Sequence, residues 1–137
     1  MKLSPRSVAL LIVIVHHAVA GLHGVAHGVL GIALTPFQAA FVAGIIIAAP
    51  AVGVVLLVTR YAGWGALLLV VSMLASLVFG IVYHILLPGS DNVLSTIGGG
   101  GWAIVFQVTG PALSVLEALG ALAGIRLLMP AESPAKT

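Results

Sequence analysis

The sequence predicts an all-α integral membrane protein, a bundle of four transmembrane helices joined by short loops, with both termini in the cytoplasm. Hydrophobic residues make up 61% of its 137 residues and charged residues only 6%, whereas soluble domains carry roughly 25% charged residues. Four apolar stretches are each long enough to cross the hydrocarbon core, which takes about 20 helical residues. The sequence therefore predicts a single membrane domain over residues 1–137.

The first two spans are predicted at about 8–34 and about 37–58. Thr35-Pro36 separates them, because threonine can cap a new helix and proline suits its first position. Pro50 lies inside the second span and is expected to kink it. Small residues recur along this span at Ala40, Gly44 and Ala48, a spacing that ordinarily marks a close helix–helix contact within the protein.

The third span is predicted at about 66–87 and the fourth at about 102–129. The loop between them is rich in glycine and polar residues, which favours a mobile connection. Pro111 is expected to kink the fourth span, along which Gly110, Glu117, Gly120 and Gly124 form a second stripe of small residues around one acid. The polar residues 130–137 read as a disordered tail.

Orientation follows from the lysines and arginines. If the chain crosses four times, all five lie on one side of the membrane, which the positive-inside tendency assigns to the cytoplasm. They are Lys2, Arg6, Arg60, Arg126 and Lys136.

Four of the five histidines lie in the first span. A helix advances 100° per residue, so His16, His23 and His27, at offsets of seven and eleven, fall on one stripe. His17 starts a neighbouring stripe that continues as Gly21, Gly24, Gly28 and Gly31. Missing side chains there would let another helix or a flat ligand approach the backbone.

Depth along the helices predicts two polar layers. At 1.5 Å per residue, His27 lies about 10 Å and His84 about 5 Å from the outer ends of their spans, so these rings can face each other. Gln38 and Asp91 approach the same level. His16, His17 and Glu117 lie nearer mid-membrane and form a candidate buried pair or proton relay, since ionisable groups in a bilayer are costly unless paired.

We expect haem b as the cofactor, held by two imidazoles from different helices. The candidate ligands are His84 and either His23 or His27, and the glycines beside them that leave room for the macrocycle are Gly24, Gly28 and Gly80. In outline this pattern resembles the small membrane b-type cytochromes built as four-helix bundles, although no family motif matches particular residues. Such a protein would act in membrane electron transfer, with quinol or another membrane redox subunit as its partner.

Two alternatives remain open. In the first, His23, His27 and His84 bind a bare zinc or copper ion, for which imidazole is a suitable ligand, and Glu117 with His16 or His17 serves a second site or proton-coupled transport. In the second, the protein is a cofactor-free accessory subunit of a larger membrane complex, packed in a homo- or hetero-oligomer.

Soluble-enzyme chemistry is not indicated. The chain has no cysteine, which excludes thiolate metal sites and a nucleophilic thiol, and it shows no catalytic triad, paired carboxylates or nucleotide fingerprint. A nucleic-acid partner is not expected either, because only eight side chains are charged. The sequence therefore favours an electron carrier or accessory subunit over an enzyme, with the lipid bilayer as its surroundings.

Overall fold

A computed structural model describes residues 3–94 and 100–130. Four helices in these ranges are long and apolar enough to cross a membrane: α1 (Pro5–Leu30), α2 (Pro36–Leu57), α3 (Ala62–Leu86) and α4 (Gly100–Leu128). The described residues contain no strand. The four apolar helices indicate an integral membrane protein and confirm the all-α class. The predicted tail from 131 onward and the loop residues 95–99 lie outside the described residues.

The ends of α1 are set by local capping rather than by hydrophobicity. The Ser4 side chain accepts a hydrogen bond from the Ser7 amide, and Pro5 follows at the first helical position, where its missing amide hydrogen costs nothing. At the other end Gly31 takes a left-handed conformation with φ 67° and closes the helix. The helix therefore ends at Leu30, earlier than the predicted 34, because the glycine terminates it inside an apolar run.

Helix α2 begins with a reciprocal cap. The Thr35 side chain accepts from the Gln38 amide, and the Gln38 side chain accepts from the Thr35 amide at 2.8 Å. Gln38 was expected near the outer polar layer, and its side-chain oxygen serves this helix start instead. The segment Val42–Ala48 is a π-helix. It comes just before Pro50, whose backbone nitrogen has no hydrogen to donate within the helix, and the change in winding accommodates that missing hydrogen bond.

Helix α3 also changes its winding at its outer end. A second π-helical segment spans Val82–Leu86, after which Leu87 is extended and Pro88 prevents the helix from continuing. In the following loop, the Val93 amide donates to the His84 carbonyl oxygen at 3.0 Å. The chain after α3 therefore folds back over the end of its own helix.

The helices pack in the cyclic order α1, α4, α3, α2, with extensive contacts between α1 and α4, α4 and α3, and α3 and α2. Helix α1 packs closely on α2 only along Ala49–Leu57. The backbones of α2 and α3 approach closely at Gly53 and Gly65, where a Cβ on Gly65 would lie 2.6 Å from the Gly53 carbonyl oxygen.

The two predicted small-residue stripes have different outcomes. On α4, Gly110, Gly120 and Gly124 are buried, and a Cβ on Gly120 would meet Met73 at 2.9 Å. On α2, Ala40, Gly44 and Ala48 are exposed, and nothing lies within 4 Å of a Cβ on Gly44. The prediction that this stripe of α2 forms a helix–helix contact within the protein is therefore wrong. The face of α2 that packs against α3 is the one that carries Gly53.

The half of the bundle that contains the start of α1 and the end of α4, which we call the inner half after the predicted orientation, has an apolar core of seven buried residues from all four helices: Ala9, Val13, Leu57, Ala66, Leu69, Met73 and Ala121. The opposite half is called the outer half. Arg6, Arg60 and Arg126 lie at this end of the bundle, around the start of α1, the α2–α3 turn and the end of α4. The other predicted cytoplasmic charges, Lys2 and Lys136, lie outside the described residues.

Candidate functional site

The outer half of the bundle contains a histidine cluster, which we define as His23, His27 and His84. Helix α1 supplies His23 and His27 one turn apart, with 6% and 9% of their surfaces exposed. The π-helical end of α3 supplies His84. Nitrogen atoms of the three rings all lie within 4.8 Å of one another. The structure thus brings together side chains that are up to 61 positions apart in the sequence.

The rings pack edge to face around one phenyl group. Ring centroids are 4.9 Å apart for His23 and His27, 4.9 Å for His23 and His84, and 5.8 Å for His27 and His84. Phe106 of α4 stacks on His23 at 4.8 Å with an interplanar angle of 16°. The contacts with Phe106 restrict the three rings to small rotations.

Hydrogen bonds determine which nitrogen of His23 carries its proton. Nδ1 lies 2.7 Å from the Thr109 hydroxyl oxygen, and that hydroxyl donates to the Val105 carbonyl oxygen at 2.6 Å. Because its single proton is committed to Val105, the Thr109 oxygen can only accept from His23, so Nδ1 carries a hydrogen. The His23 Nε2 atom is buried without a hydrogen-bond partner in the described structure and presents a lone pair.

His27 and His84 are arranged in the same way. His27 Nδ1 lies 3.4 Å from the Ile32 carbonyl oxygen, and His84 Nδ1 lies 2.8 Å from the Asp91 carbonyl oxygen. Carbonyl oxygens only accept, so each Nδ1 is a donor, and the neutral form of each ring has its lone pair on Nε2. In metal-binding histidines the second ring nitrogen is typically held in this way.

Asp91 adds a carboxylate to the cluster. Its Oδ1 atom lies 3.2 Å from His27 Nε2 and 3.0 Å from His84 Nδ1. Burial would raise the pKa of Asp91, but the hydrogen-bonding contacts with His27 and His84 outweigh it and hold that pKa well below its ordinary value. Asp91 is therefore an anion beside the histidines.

The loop after α3 holds Asp91 in place through Asn92. The Asn92 side-chain amide donates to the carbonyl oxygens of Ile85 and Leu87 at 2.9 and 3.0 Å, and its oxygen accepts from the Leu94 amide. Asn92 thus satisfies carbonyl groups at the end of α3 that have no helical partner. The carboxylate of the preceding residue is fixed over the cluster as a result.

A lone pair on His27 Nε2 facing an anionic oxygen at 3.2 Å is repulsive. A cation between the two atoms, either a proton or a metal ion, converts this contact into an attraction. In their neutral forms the three rings therefore offer three nitrogen lone pairs beside one carboxylate, a donor set suited to a divalent ion. Comparison with protein-family models, curated proteins and solved structures found no match to this chain. The chemistry of the site rests on its own geometry.

The inner polar layer is a separate pair. His16 and Glu117 are 0% and 3% exposed, and His16 Nε2 lies 3.5 Å from Glu117 Oε1. His17, the alternative partner for Glu117, turns elsewhere: its ring nitrogens lie 2.8 Å from the Val13 carbonyl oxygen and 3.0 Å from that of Ile47. His17 therefore ties α1 to the π-helical segment of α2.

The three predicted glycines occupy different places. Gly24 and Gly80 line a cavity of about 140 Å³ that adjoins the cluster. Gly28 does not line this cavity, and no atom lies within 4 Å of a Cβ built on it. The glycine stripe of α1 thus borders the candidate site only at Gly24, since α2 stands away from the rest of that face.

Three supporting residues were not singled out from the sequence as part of the site. Thr109 and Phe106 lie three positions apart on the face of α4 that also carries Gly110, so helical spacing relative to this buried glycine would have indicated them. No spacing pattern indicates the role of Asn92, because that role depends on how the loop folds back over α3.

Proposed function

We propose that the protein binds one transition-metal ion, zinc or copper, through the Nε2 atoms of His23, His27 and His84, with Asp91 as the nearby anion. The observation that carries this proposal is the commitment of all three Nδ1 atoms to hydrogen-bond acceptors, which leaves the lone pairs of the neutral rings on Nε2, in a cluster whose ring nitrogens lie within 4.8 Å of one another. Two nitrogen ligands of a tetrahedral zinc ion are about 3.4 Å apart. Small ring rotations would close the observed spacing of up to 4.8 Å.

Haem b ligated by two of these histidines remains a prediction, and the geometry favours it less. Two imidazoles on opposite faces of one iron have ring centroids about 6 Å apart, with the macrocycle between them. His84 lies 4.9 Å from His23 and 5.8 Å from His27 by ring centroids. The His27–His84 spacing is therefore close to that of a haem pair, but the adjoining cavity of about 140 Å³ has room for about one six-membered ring and not for a macrocycle of four pyrrole rings. A bare ion fits with the helices in place.

The charge distribution supports placing the cluster toward the outer side of the membrane. Arg6, Arg60 and Arg126 lie at the opposite end of the bundle from His84 and Asp91. The positive-inside tendency assigns the arginine end to the cytoplasm. Zinc would make the site structural or a Lewis acid, whereas copper would also let it carry an electron, as the electron-transfer hypothesis requires.

Metal titration of the purified, chelator-stripped protein tests the proposal. We expect one equivalent of zinc or copper to bind, and His84→Ala to weaken binding by more than the roughly 10–100-fold that loss of a supporting hydrogen bond costs. His17→Gln is the matched control, because His17 is also an intramembrane histidine but lies outside the cluster. A folded wild-type protein that binds neither ion overturns the proposal.

An absorption spectrum of the same sample separates the cofactors. A Soret band whose position shifts on reduction with dithionite would establish haem in place of a bare ion. A colourless protein with stoichiometric zinc supports the ion. A copper-bound protein that shows Cu(II) absorption and no Soret band also supports the bare ion.

A further inference from the structure

The cavity beside the histidine cluster extends toward the inner polar pair. Its volume is about 140 Å³, similar to the roughly 150 Å³ of an apolar cavity that can hold a benzene ring. Most of its walls are hydrocarbon, contributed by all four helices: Ala20, Val42, Ile46, Phe79 and Leu113. Both π-helical segments border it, one through Val42 and Ile46 and the other through His84.

Each end of this apolar cavity carries a buried polar atom without a hydrogen-bond partner in the described structure. At the outer end this atom is His23 Nε2, and at the inner end it is Glu117 Oε2. The other carboxylate oxygen of Glu117 faces His16. Leaving such groups unpaired costs about 1–3 kcal/mol each, so the cavity suits an occupant that has a polar atom at each end.

The length of the cavity also restricts the occupant. Gly110 lies against His23, since a Cβ on Gly110 would be 3.7 Å from the His23 ring. Glu117 follows seven residues later on the same helix, about 10 Å along its axis. A six-membered ring with an oxygen at each end, together with its two hydrogen bonds, spans about 11 Å.

The entrance lies in the hydrocarbon region between α1 and α2. These helices pack closely along Ala49–Leu57, and the bond from His17 Nε2 to Ile47 joins them at mid-membrane. Toward the outer side, Gly24 of α1 lines the cavity and is exposed, and no atom lies within 4 Å of a Cβ built on it. A ligand dissolved in the bilayer can therefore enter sideways past Gly24.

We propose that this cavity binds the ring of a hydroquinone, with one ring hydroxyl at His23 or at the ion bound there and the other donating to Glu117 Oε2. Any apolar tail would leave past Gly24 into the lipid. Glu117 Oε2 and the hydrocarbon walls of the cavity are not part of the proposed metal site. The inference therefore goes beyond the proposed metal site, and either proposal can fail while the other holds.

The test is equilibrium binding of a hydroquinone with a ten-carbon tail to the protein in lipid nanodiscs, with and without zinc. The same tail on an unsubstituted benzene ring serves as the ligand control. We expect saturable binding of the hydroquinone at one per protein and at least about tenfold weaker binding of the control ring, because two hydrogen bonds are lost.

Two variants locate the ring. Gly24→Leu should reduce hydroquinone binding at least tenfold by obstructing the entrance. Gly21→Leu, on the same helix but outside the cavity, should not reduce it. Glu117→Gln should weaken binding, because it replaces one carboxyl oxygen with an NH₂ group, which cannot accept a hydrogen bond. If Glu117→Gln does not fold, the comparison of Gly24→Leu with Gly21→Leu shows whether the ring binds in the cavity.

Failure of the hydroquinone to bind folded wild-type protein saturably overturns the inference. Equal binding by wild type, Gly24→Leu and Glu117→Gln also overturns it, because the ring is then bound elsewhere. Zinc or copper titration of the same nanodiscs separates this failure from failure of the proposed function: a protein that binds the ion but no hydroquinone retains the metal site.

Discussion

The Thr109 hydroxyl fixes the tautomer of His23: its oxygen lies 2.7 Å from His23 Nδ1, while its hydrogen is donated to Val105. Both residues are buried, so water does not replace the bond readily. Thr109 is a positioning residue, since it acts on a ligand atom through the opposite side of the same ring. This relationship makes the metal proposal testable without removing any ligand.

Thr109→Val should lower the affinity for zinc or copper by about 10–100-fold, because His23 then loses the acceptor that holds Nε2 toward the ion. Metal titration of the folded variant measures this. Ser72→Ala is the matched control, since Ser72 is a buried hydroxyl that bonds to the Leu69 carbonyl oxygen and lies outside the cavity. Equal affinity in wild type and Thr109→Val would show that the His23 tautomer does not matter for binding.

Asp91→Asn should also weaken metal binding by about 10–100-fold, because it removes the anion that contacts His27 and His84 while keeping the side-chain shape. The change leaves the carbonyl oxygen that accepts from His84 Nδ1 in place. Ser90→Ala is the control, because Ser90 is the residue next to Asp91 and is exposed. Unchanged affinity in Asp91→Asn would assign the whole site to the three imidazoles.

Gly65→Ala should destabilise the bundle, whereas Gly63→Ala should not. A methyl group on Gly65 would meet the Gly53 carbonyl oxygen at 2.6 Å and the Leu57 amide nitrogen at 2.9 Å, and neither backbone atom can move aside cheaply. A methyl group on Gly63 meets nothing within 4 Å. We expect a loss of about 1–3 kcal/mol for Gly65→Ala, measured by unfolding in mixed detergent micelles. Similar stability of the two variants would contradict this close contact.

Much of the site follows from helix geometry. The offsets of seven and eleven residues place His16, His23 and His27 on one face, and the structure has all three buried. Counting the rise per residue predicted that His27 and His84 lie at one depth and His16 and Glu117 at another. The structure brings both pairs within contact distance. Fixed periodicity and rise are sufficient here because α1 is regular over its whole length.

The remaining features depend on departures from regular helices. The π-helical segments at Val42–Ala48 and Val82–Leu86 rotate the residues that follow them, and hydrophobic periodicity does not reveal such a rotation. The separation of α1 from the outer half of α2 likewise depends on which faces pack at Gly53 and Gly65. The sequence therefore predicted the histidines correctly as neighbours, but it did not predict the cavity or the exposed small-residue stripe of α2.

His16 and Glu117 should show strong energetic coupling. Glu117→Leu or His16→Leu alone leaves one ionisable group buried without its partner, which we expect to cost about 3 kcal/mol. The double variant replaces both groups with hydrocarbon and should lose much less than the sum of the single losses. Unfolding in mixed micelles gives all four free energies. Additive losses would mean that the contact of 3.5 Å between the two side chains carries no interaction.

The orientation of the bundle is tested by cysteine labelling, which is unambiguous because the chain has no native cysteine. Ser90 is exposed in the loop after α3, whereas its neighbour Asn92 is buried and hydrogen-bonded, so Ser90→Cys is the better reporter for this end. An impermeant maleimide applied outside intact cells should label Ser90→Cys. Lys136→Cys should be labelled only after the membrane is opened, since the arginine-bearing end is expected in the cytoplasm. Labelling of both cysteines from outside would contradict four crossings, and the reversed pattern would place the histidine cluster on the cytoplasmic side.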